Sequence, residues 1–383
     1  SCIQEGLVGI RLIKSFVRGD YEEMRFEKRN QQLKEANLTA MKTMLLYTPL
    51  MTLALNITTV VVVWSGGNMI VAGNMQVGDL TAFTNYIVQI MSSLTMLSIA
   101  FLNWARAIAS FRRVGEVLDE KIDLTDENAK HKDRAVCEGS VEFQNVSFRY
   151  YKNSPEWVIE NISFKLEAGK TIGIIGSTGS GKSTLVSMIP RLYDTDEGTV
   201  LVDGINVRDY GLKPLREGIG MVLQNNTLFS GSITENLKWG DEHADEKAVR
   251  KAAQNAQAAG FIDSFKDGYR TRLEQSGNNV SGGQKQRLCI ARALLKCPKI
   301  LILDDSTSAV DTATERAIRE ALHSEYKDMT KIIIAQRIRS VMDADEILVL
   351  DNGKTAGFGT HEQLLADCPV YREIYDVQNG REE

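Results

Sequence analysis

Cysteine is scarce in this sequence: 383 residues hold five, Cys2, Cys137, Cys289, Cys297 and Cys368, an odd number, widely spaced and without a CxxC. That excludes a disulfide framework and a zinc site, and the chain reads as a reduced, cytosol-facing protein. Basic excess is missing too: a net charge of −5 argues against a nucleic-acid binder that works through a broad basic surface. No internal repeat or low-complexity tract is evident. With 43% hydrophobic and 25% charged residues, neither a disordered tail nor a collagen-like fibre fits. The length exceeds one compact core and suits two domains at roughly 150 residues each. The chain opens on Ser1 without a charged-then-apolar leader, and reads as a fragment that starts inside a longer membrane protein.

Charge itself is missing from one region. Between Thr43 and Ala105 the single charged residue is Asp79, leaving uncharged runs of 36 residues (43–78) and 26 residues (80–105). About 20 apolar residues cross a bilayer core of ~30 Å, so each run is long enough. The pattern predicts membrane helices over about 44–64, ending at Gly66-Gly67 and kinked at Pro49 as lipid-embedded helices tolerate, and about 80–106, the second continuing beyond the membrane. The connector Ser65–Asp79 has no Lys or Arg, whereas Lys42, Arg106, Arg112 and Arg113 flank the spans, which puts both ends in the cytoplasm. The competing reading is a hairpin buried in a soluble core, but soluble core helices do not usually run this long without charge. Ahead of the spans, Tyr21–Lys34 is dense in both charge signs, as on a solvated helix.

The charged stretch 114–138 reads as a linker between a membrane part (1–113) and a second domain (139–383). Strand-like runs Thr171–Ile175, Gly220–Leu223, Ile300–Leu303, Lys331–Ala335 and Glu346–Leu350 alternate with helix-like ones, predicting an α/β domain with a mainly parallel core sheet. Gly176, Ser177, Thr178, Gly179, Ser180, Gly181, Lys182 and Ser183 fit GxxxxGK[ST], between the strand ending at Ile175 and a helix-like run Thr184–Leu192. Glycines let backbone N–H groups curl around phosphate oxygens, and the helix start adds positive potential. Lys182 is expected on the β- and γ-phosphates and Ser183 on Mg²⁺. The apolar strand Ile300–Leu303 ends in Asp304, a second candidate for Mg²⁺, held through water.

Val280-Ser281-Gly282-Gly283-Gln284 resembles the LSGGQ signature of ATP-binding-cassette transporters, with Val in the leading place. Tyr150 is similar to the aromatic that stacks on adenine, Gln224 to the Q-loop glutamine, and Ser308–Asp311 to the D-loop. The resemblance covers almost the whole chain. It implies a P-loop NTPase domain of that type behind the last two of six membrane helices of an exporter half, with ATP and Mg²⁺ as ligands and Gly9–Phe16 as a coupling helix. It further implies that Thr184 borders the nucleotide, that Gln224 joins Ser183 and Asp304 at Mg²⁺, and that Ser281, Gly282, Gly283, Gln284 and Asp311 act in trans on a partner's ATP.

Two positions depart from the pattern. Where the family has a glutamate that polarises the attacking water, this chain has Asp305; where it has a switch histidine, this chain has Gln336. None of the four histidines, His131, His243, His323 and His361, fits that place. The expectation is a site that binds ATP and cleaves it slowly, in a chain that pairs with a second, different half. The sequence resembles the degenerate-site subunit of heterodimeric bacterial multidrug exporters. The implied setting is a plasma-membrane, multi-pass protein moving a small hydrophobic or amphipathic substrate, with its nucleotide domain in the cytoplasm and no nucleic-acid partner. Asn56, Asn85, Gln89, Ser92, Ser93 and Asn103 are polar candidates for a cavity or for helix packing. An alternative is a non-hydrolytic, nucleotide-gated regulatory subunit; a soluble ATPase acting on DNA or ribosomes conflicts with the uncharged runs.

Overall fold

The computed structural model describes residues 2–380. The chain divides into two compact units, Ser1–Lys121 and Ile122–Glu383.

The first unit is helical: α1 (Cys2–Val8), α2 (Ile10–Ser15), α3 (Gly19–Val71) and α4 (Val77–Leu118). At 1.5 Å per residue α3 is about 80 Å long and α4 about 60 Å. The stretches Pro49–Val71 and Val77–Leu118 have mean hydropathies of 1.6 and 1.5. Their apolar side chains point outward, Trp64 and Met96 each being 75% exposed. The helices are therefore not a hairpin buried in the core of this chain, and they are long and apolar enough to cross a bilayer.

Gly66-Gly67 does not end the first span, as the sequence suggested, and the helix runs on to Val71. A Cβ on Gly66 would stand 2.4 Å from Cδ1 of Leu80 on α4, so glycine serves close helix approach there. The terminator is Gly73, whose φ of 75° suits the left-handed position just past a helix end. The second helix starts earlier than expected, at Val77, and continues past Arg106 to Leu118. Asp79 sits in its first turn, where its Oδ2 accepts from the Gln76 N–H at 3.1 Å and faces the positive end of the helix dipole. On α3, Arg25 pairs with Glu5 at 2.9 Å and with Glu22 at 3.2 Å, fastening α1 to α3.

Residues 114–138 are more than a connector. The first of them finish α4, and Asp126 Oδ2 accepts from the Leu212 N–H at 3.0 Å in the second unit. Ala129 and Val136 are buried. Apart from the half-buried Asp126, the charges of this stretch face water, which is why composition alone reads as a linker.

Among its described residues the second unit has twelve strands: β1 (Val141–Phe148), β2 (Ile159–Leu166), β3 (Thr171–Gly176), β4 (Glu197–Val202), β5 (Ile205–Asn206), β6 (Ile219–Val222), β7 (Gly231–Ser232), β8 (Arg272–Leu273), β9 (Ile300–Asp304), β10 (Thr330–Ile334), β11 (Glu346–Asp351) and β12 (Lys354–Gly359). Its helices are α5 (Lys182–Ser187), α6 (Leu212–Glu217), α7 (Ile233–Lys238), α8 (Glu246–Asn255), α9 (Ala259–Ser264), α10 (Gly282–Leu295), α11 (Thr312–Glu325), α12 (His361–Asp367) and α13 (Pro369–Gln378). The central sheet runs β12-β11-β3-β10-β9-β6, parallel except for β12, and a separate antiparallel sheet runs β2-β1-β4-β5.

Both faces of the parallel sheet are covered, which is why its strands read as unbroken apolar runs. Alternate residues divide between the faces. Ile172, Ile174, Ile332 and Ile334 pack with α5 and the antiparallel sheet. Leu301 and Leu303 pack with α8 and α10 on the other side, and Ile347 and Val349 with α12 and α13. The run expected as a helix over Thr184–Leu192 is shorter: α5 stops at Ser187 and the chain leaves in turns, still burying Met188 and Ile189.

Candidate nucleotide site

The carboxyl ends of four neighbouring parallel strands deliver this site. β3 runs into the glycine loop, β9 ends in Asp304, β10 is followed by Gln336 and β6 by Gln224. Ligand crevices in open α/β sheets form at that edge. The register pairs Ile334 with Asp304, so side chains far apart in sequence meet there.

Two glycines are required by their surroundings. A Cβ on Gly176 would stand 2.1 Å from the Leu350 carbonyl oxygen. Gly181, with φ 90°, abuts Val158 and Ile159 and starts α5. The Lys182 ammonium turns back on this loop, donating to the carbonyls of Gly176 at 2.8 Å and Ser177 at 2.7 Å. Burial pushes the Lys182 pKa down, opposed by the nearby carboxylates of Asp304 and Asp305.

Asp304 is 4% exposed, and burial is the main force raising its carboxyl pKa. The Ser183 hydroxyl donates to its Oδ1 at 3.0 Å. Asp305 turns the chain with φ 46°, a left-handed conformation that Asp tolerates better than most residues. Its N–H donates to the Ile334 carbonyl at 3.0 Å. Burial raises the pKa of Asp305, and the amide of Gln336, which donates to its Oδ2 at 2.8 Å, works the other way.

Tyr150 completes the cleft from the antiparallel sheet. Its hydroxyl pairs with Thr184 Oγ1 at 2.8 Å, and its ring stands edge-on to Phe148 and Tyr193. Half of the residue stays exposed, leaving surface for a stacked base. Tyr150, the loop residues 178–184, Gln224, Asp304, Asp305 and Gln336 line one cleft of about 320 Å³. Gly176 and Ser177 hold Lys182 from beneath. An adjacent hydroxyl and carboxylate, with Gln224 on the same cleft, form an all-oxygen donor set that fits Mg²⁺, and the desolvated Asp304 gains from a cation.

Ser281, Gly282, Gly283, Gln284 and Asp311 do not line this cleft. Ser281 caps α10: its N–H donates to Gln284 Oε1 at 2.9 Å, and the Gln284 N–H returns to Ser281 Oγ at 3.3 Å. Asp311 caps α11 by accepting from the Thr314 N–H at 3.0 Å, and that bond holds its pKa low. Sequence reasoning gave no role to Gln286. Buried on α10, it accepts from the Ala309 N–H at 3.0 Å and donates to Ser308 Oγ at 3.3 Å, tying the loop 308–311 to the helix of residues 281–284. The only signal was an amide on the inward face of a helix.

Residues 159–308 match the family model described as ABC transporter, and residues 1–94 match that of the ABC transporter transmembrane region. An uncharacterized ABC transporter ATP-binding protein of Bacillus subtilis is 43% identical over 380 residues, covering 99% of this chain and 65% of the relative. One of Mycobacterium tuberculosis is 41% identical over 381 residues, 98% and 65% of the two chains. A candidate multidrug export ATP-binding/permease protein of Bacillus subtilis is 38% identical over 383 residues, again 98% and 65%. The solved structure of a bacterial Atm1-family ABC exporter with ATP bound aligns with a TM-score of 0.89 at 30% identity, covering 98% of this chain and 66% of the other. The chain thus spans a little under two thirds of the length of the relatives it matches.

Proposed function

We propose that the chain is one half of an ABC exporter, its residues 1–94 matching the transmembrane-region model and 159–308 the ABC transporter model, and that it drives export as the slow-hydrolysing member of an unlike pair. Its own cleft takes ATP: Tyr150 stacks the base, while the loop amides and Lys182 hold the phosphates. Ser183, Asp304 and Gln224 would hold Mg²⁺, which when bound neutralises phosphate charge. The cargo is a small hydrophobic or amphipathic molecule, and the Lys and Arg distribution favours a cytoplasmic nucleotide domain on a multi-pass plasma-membrane protein.

The observation that carries the slow-site reading is the Gln336–Asp305 hydrogen bond of 2.8 Å. A general base must reach the water it activates. Aspartate is one methylene short of glutamate, roughly 1 Å, and a misplacement of that size costs about 10²-fold in rate. One of the Asp305 oxygens is also engaged by an amide. Gln336 binds a phosphate oxygen through its N–H but lacks the proton and charge of an imidazole.

Two such chains together would have two slow sites. The helix start at Ser281–Gln284 keeps its anion-binding character, and with Gly282, Gly283 and Asp311 it serves the partner's ATP in trans. α2 and Phe16, which is 68% exposed, form the knob that couples nucleotide closure to the membrane helices. The test uses the full-length protein in lipid, alone and with its companion half. The expected result is slow turnover alone and fast turnover in the pair. Asp305→Ala changes the rate of the pair little, whereas Ser281→Ala cuts it heavily. Vigorous turnover by the protein alone overturns the proposal.

A further inference from the structure

The loop that carries Gln336 is gripped from a distant part of the chain. Gln378, the last residue of α13, donates from Nε2 to the Gln336 carbonyl at 2.7 Å, and its Oε1 accepts from the Ile338 N–H at 2.8 Å. One amide thus makes the two bonds that a neighbouring strand would make. On the opposite flank, Arg319 of α11 donates to the Arg339 carbonyl at 2.8 Å.

The position of Gln378 is set by what anchors its helix. Tyr371, seven residues earlier and so two turns away on the same face, is fully buried, and its hydroxyl pairs with His361 Nδ1 at 2.7 Å. Ile374 and Tyr375 pack beside it under the sheet, together with Ile338 and Val341 of the gripped segment. The bonds run in series from Tyr371 and α13 through Gln378 to the Gln336 backbone. From there the Gln336 side chain continues to Asp305.

We propose that Gln378 is a positioning residue of the ATP site, clamping the Gln336–Ile338 step so that the Gln336 amide stays aimed at Asp305. The C-terminal helix thereby sets the geometry of the hydrolytic end of the cleft. This rests on the nucleotide-site reading above.

The test measures single-turnover phosphate release at this site in the full-length protein, paired with a companion half whose own P-loop lysine has been replaced. Gln378→Met, which removes both bonds and so frees the Asp305 oxygen that the Gln336 amide engages, is expected to speed release about fivefold while leaving ATP affinity within about twofold. Gln378→Glu keeps the acceptor, loses the donor, and is expected to act in the same direction; it serves if the methionine variant folds poorly. Combined with Gln336→Ala, either change is expected to have no further effect, because a residue acting through Gln336 is silent once that side chain is gone. Hydrogen exchange over residues 332–341 is expected to rise in the Gln378 variants. An unchanged or lowered rate, or an equal rise with and without the Gln336 side chain, overturns the proposal. The parent rate tests the slow-site reading separately, since the coupling is readable whether that rate is high or low.

Discussion

The Gln336 side-chain amide donates to Asp305 Oδ2 over 2.8 Å, joining two residues 31 apart in the chain. The pairing follows from the sheet: β9 and β10 are parallel neighbours with Asp304 opposite Ile334, so the loops after them leave side by side. Each residue follows an apolar strand that fixes where its loop begins. The two departures from the family pattern are therefore one local arrangement, and they should respond to substitution together.

Asp305→Glu with Gln336→His is expected to raise phosphate release at this site by about 10- to 100-fold, each change alone giving less than its share. Single-turnover kinetics in the proposed pair, with the other half's site disabled, measure this. Single changes that multiply to the full effect would show that the two side chains work independently.

Asp304 carries a buried carboxylate, and the sign of its effect on stability follows. Burial raises its pKa above the ordinary 3.8, so the folded state holds the proton more tightly than the unfolded one. Stability then falls as pH climbs through that interval, and at neutral pH the full cost is present. Asp304→Asn, which keeps an acceptor for Ser183, is expected to stabilise the nucleotide-free protein by about 1 kcal/mol at neutral pH. It should abolish the Mg²⁺ dependence of ATP binding. Melting curves without Mg²⁺ and titrations with it check both halves.

Lys182→Met is expected to weaken ATP binding by at least about tenfold, since a charge-assisted bond to phosphate is lost. The melting temperature of the free protein should move little, because, of the two carbonyls that Lys182 now occupies, that of Ser177 is exposed and that of Gly176 only part-buried. Equilibrium binding of a fluorescent nucleotide gives the answer.

Gly66→Val forces a side chain into the 2.4 Å approach of Leu80 and is expected to destabilise the helical unit by about 1–3 kcal/mol. Adding Leu80→Ala should recover most of the loss. Thermal unfolding in detergent compares the two, and an absence of rescue would mean that the helices do not pack through this pair.

Signals confined to a few neighbouring residues were legible in the sequence. The glycine loop, the strand ending at Asp304 and the long uncharged runs announce themselves through composition over ten to twenty positions. The antiparallel sheet did not, because irregularities between Phe143 and Val146 and between Gln144 and Ser147 break the alternation that marks a strand. Gly66 and Gly73 are the same residue in one apolar context, yet the first permits contact and the second ends a helix; the difference lies in Leu80, on the other helix. Gln286 and Gln378 act through amides whose partners are 22 to 42 residues distant, a spacing that no periodicity marks.

α3 joins its charged, water-loving start and its apolar finish in a single rod from Gly19 to Val71. Rods convey force where hinges absorb it. A shove on the corner at Val17–Arg18 finds a place to bend at Pro49, whose ring removes a backbone hydrogen bond from the helix, so residues 19–48 move as one piece and bending concentrates where the apolar half begins. The water-facing half is thus a lever arm, and the pairing of Arg25 with Glu5 bolts the first helix to it.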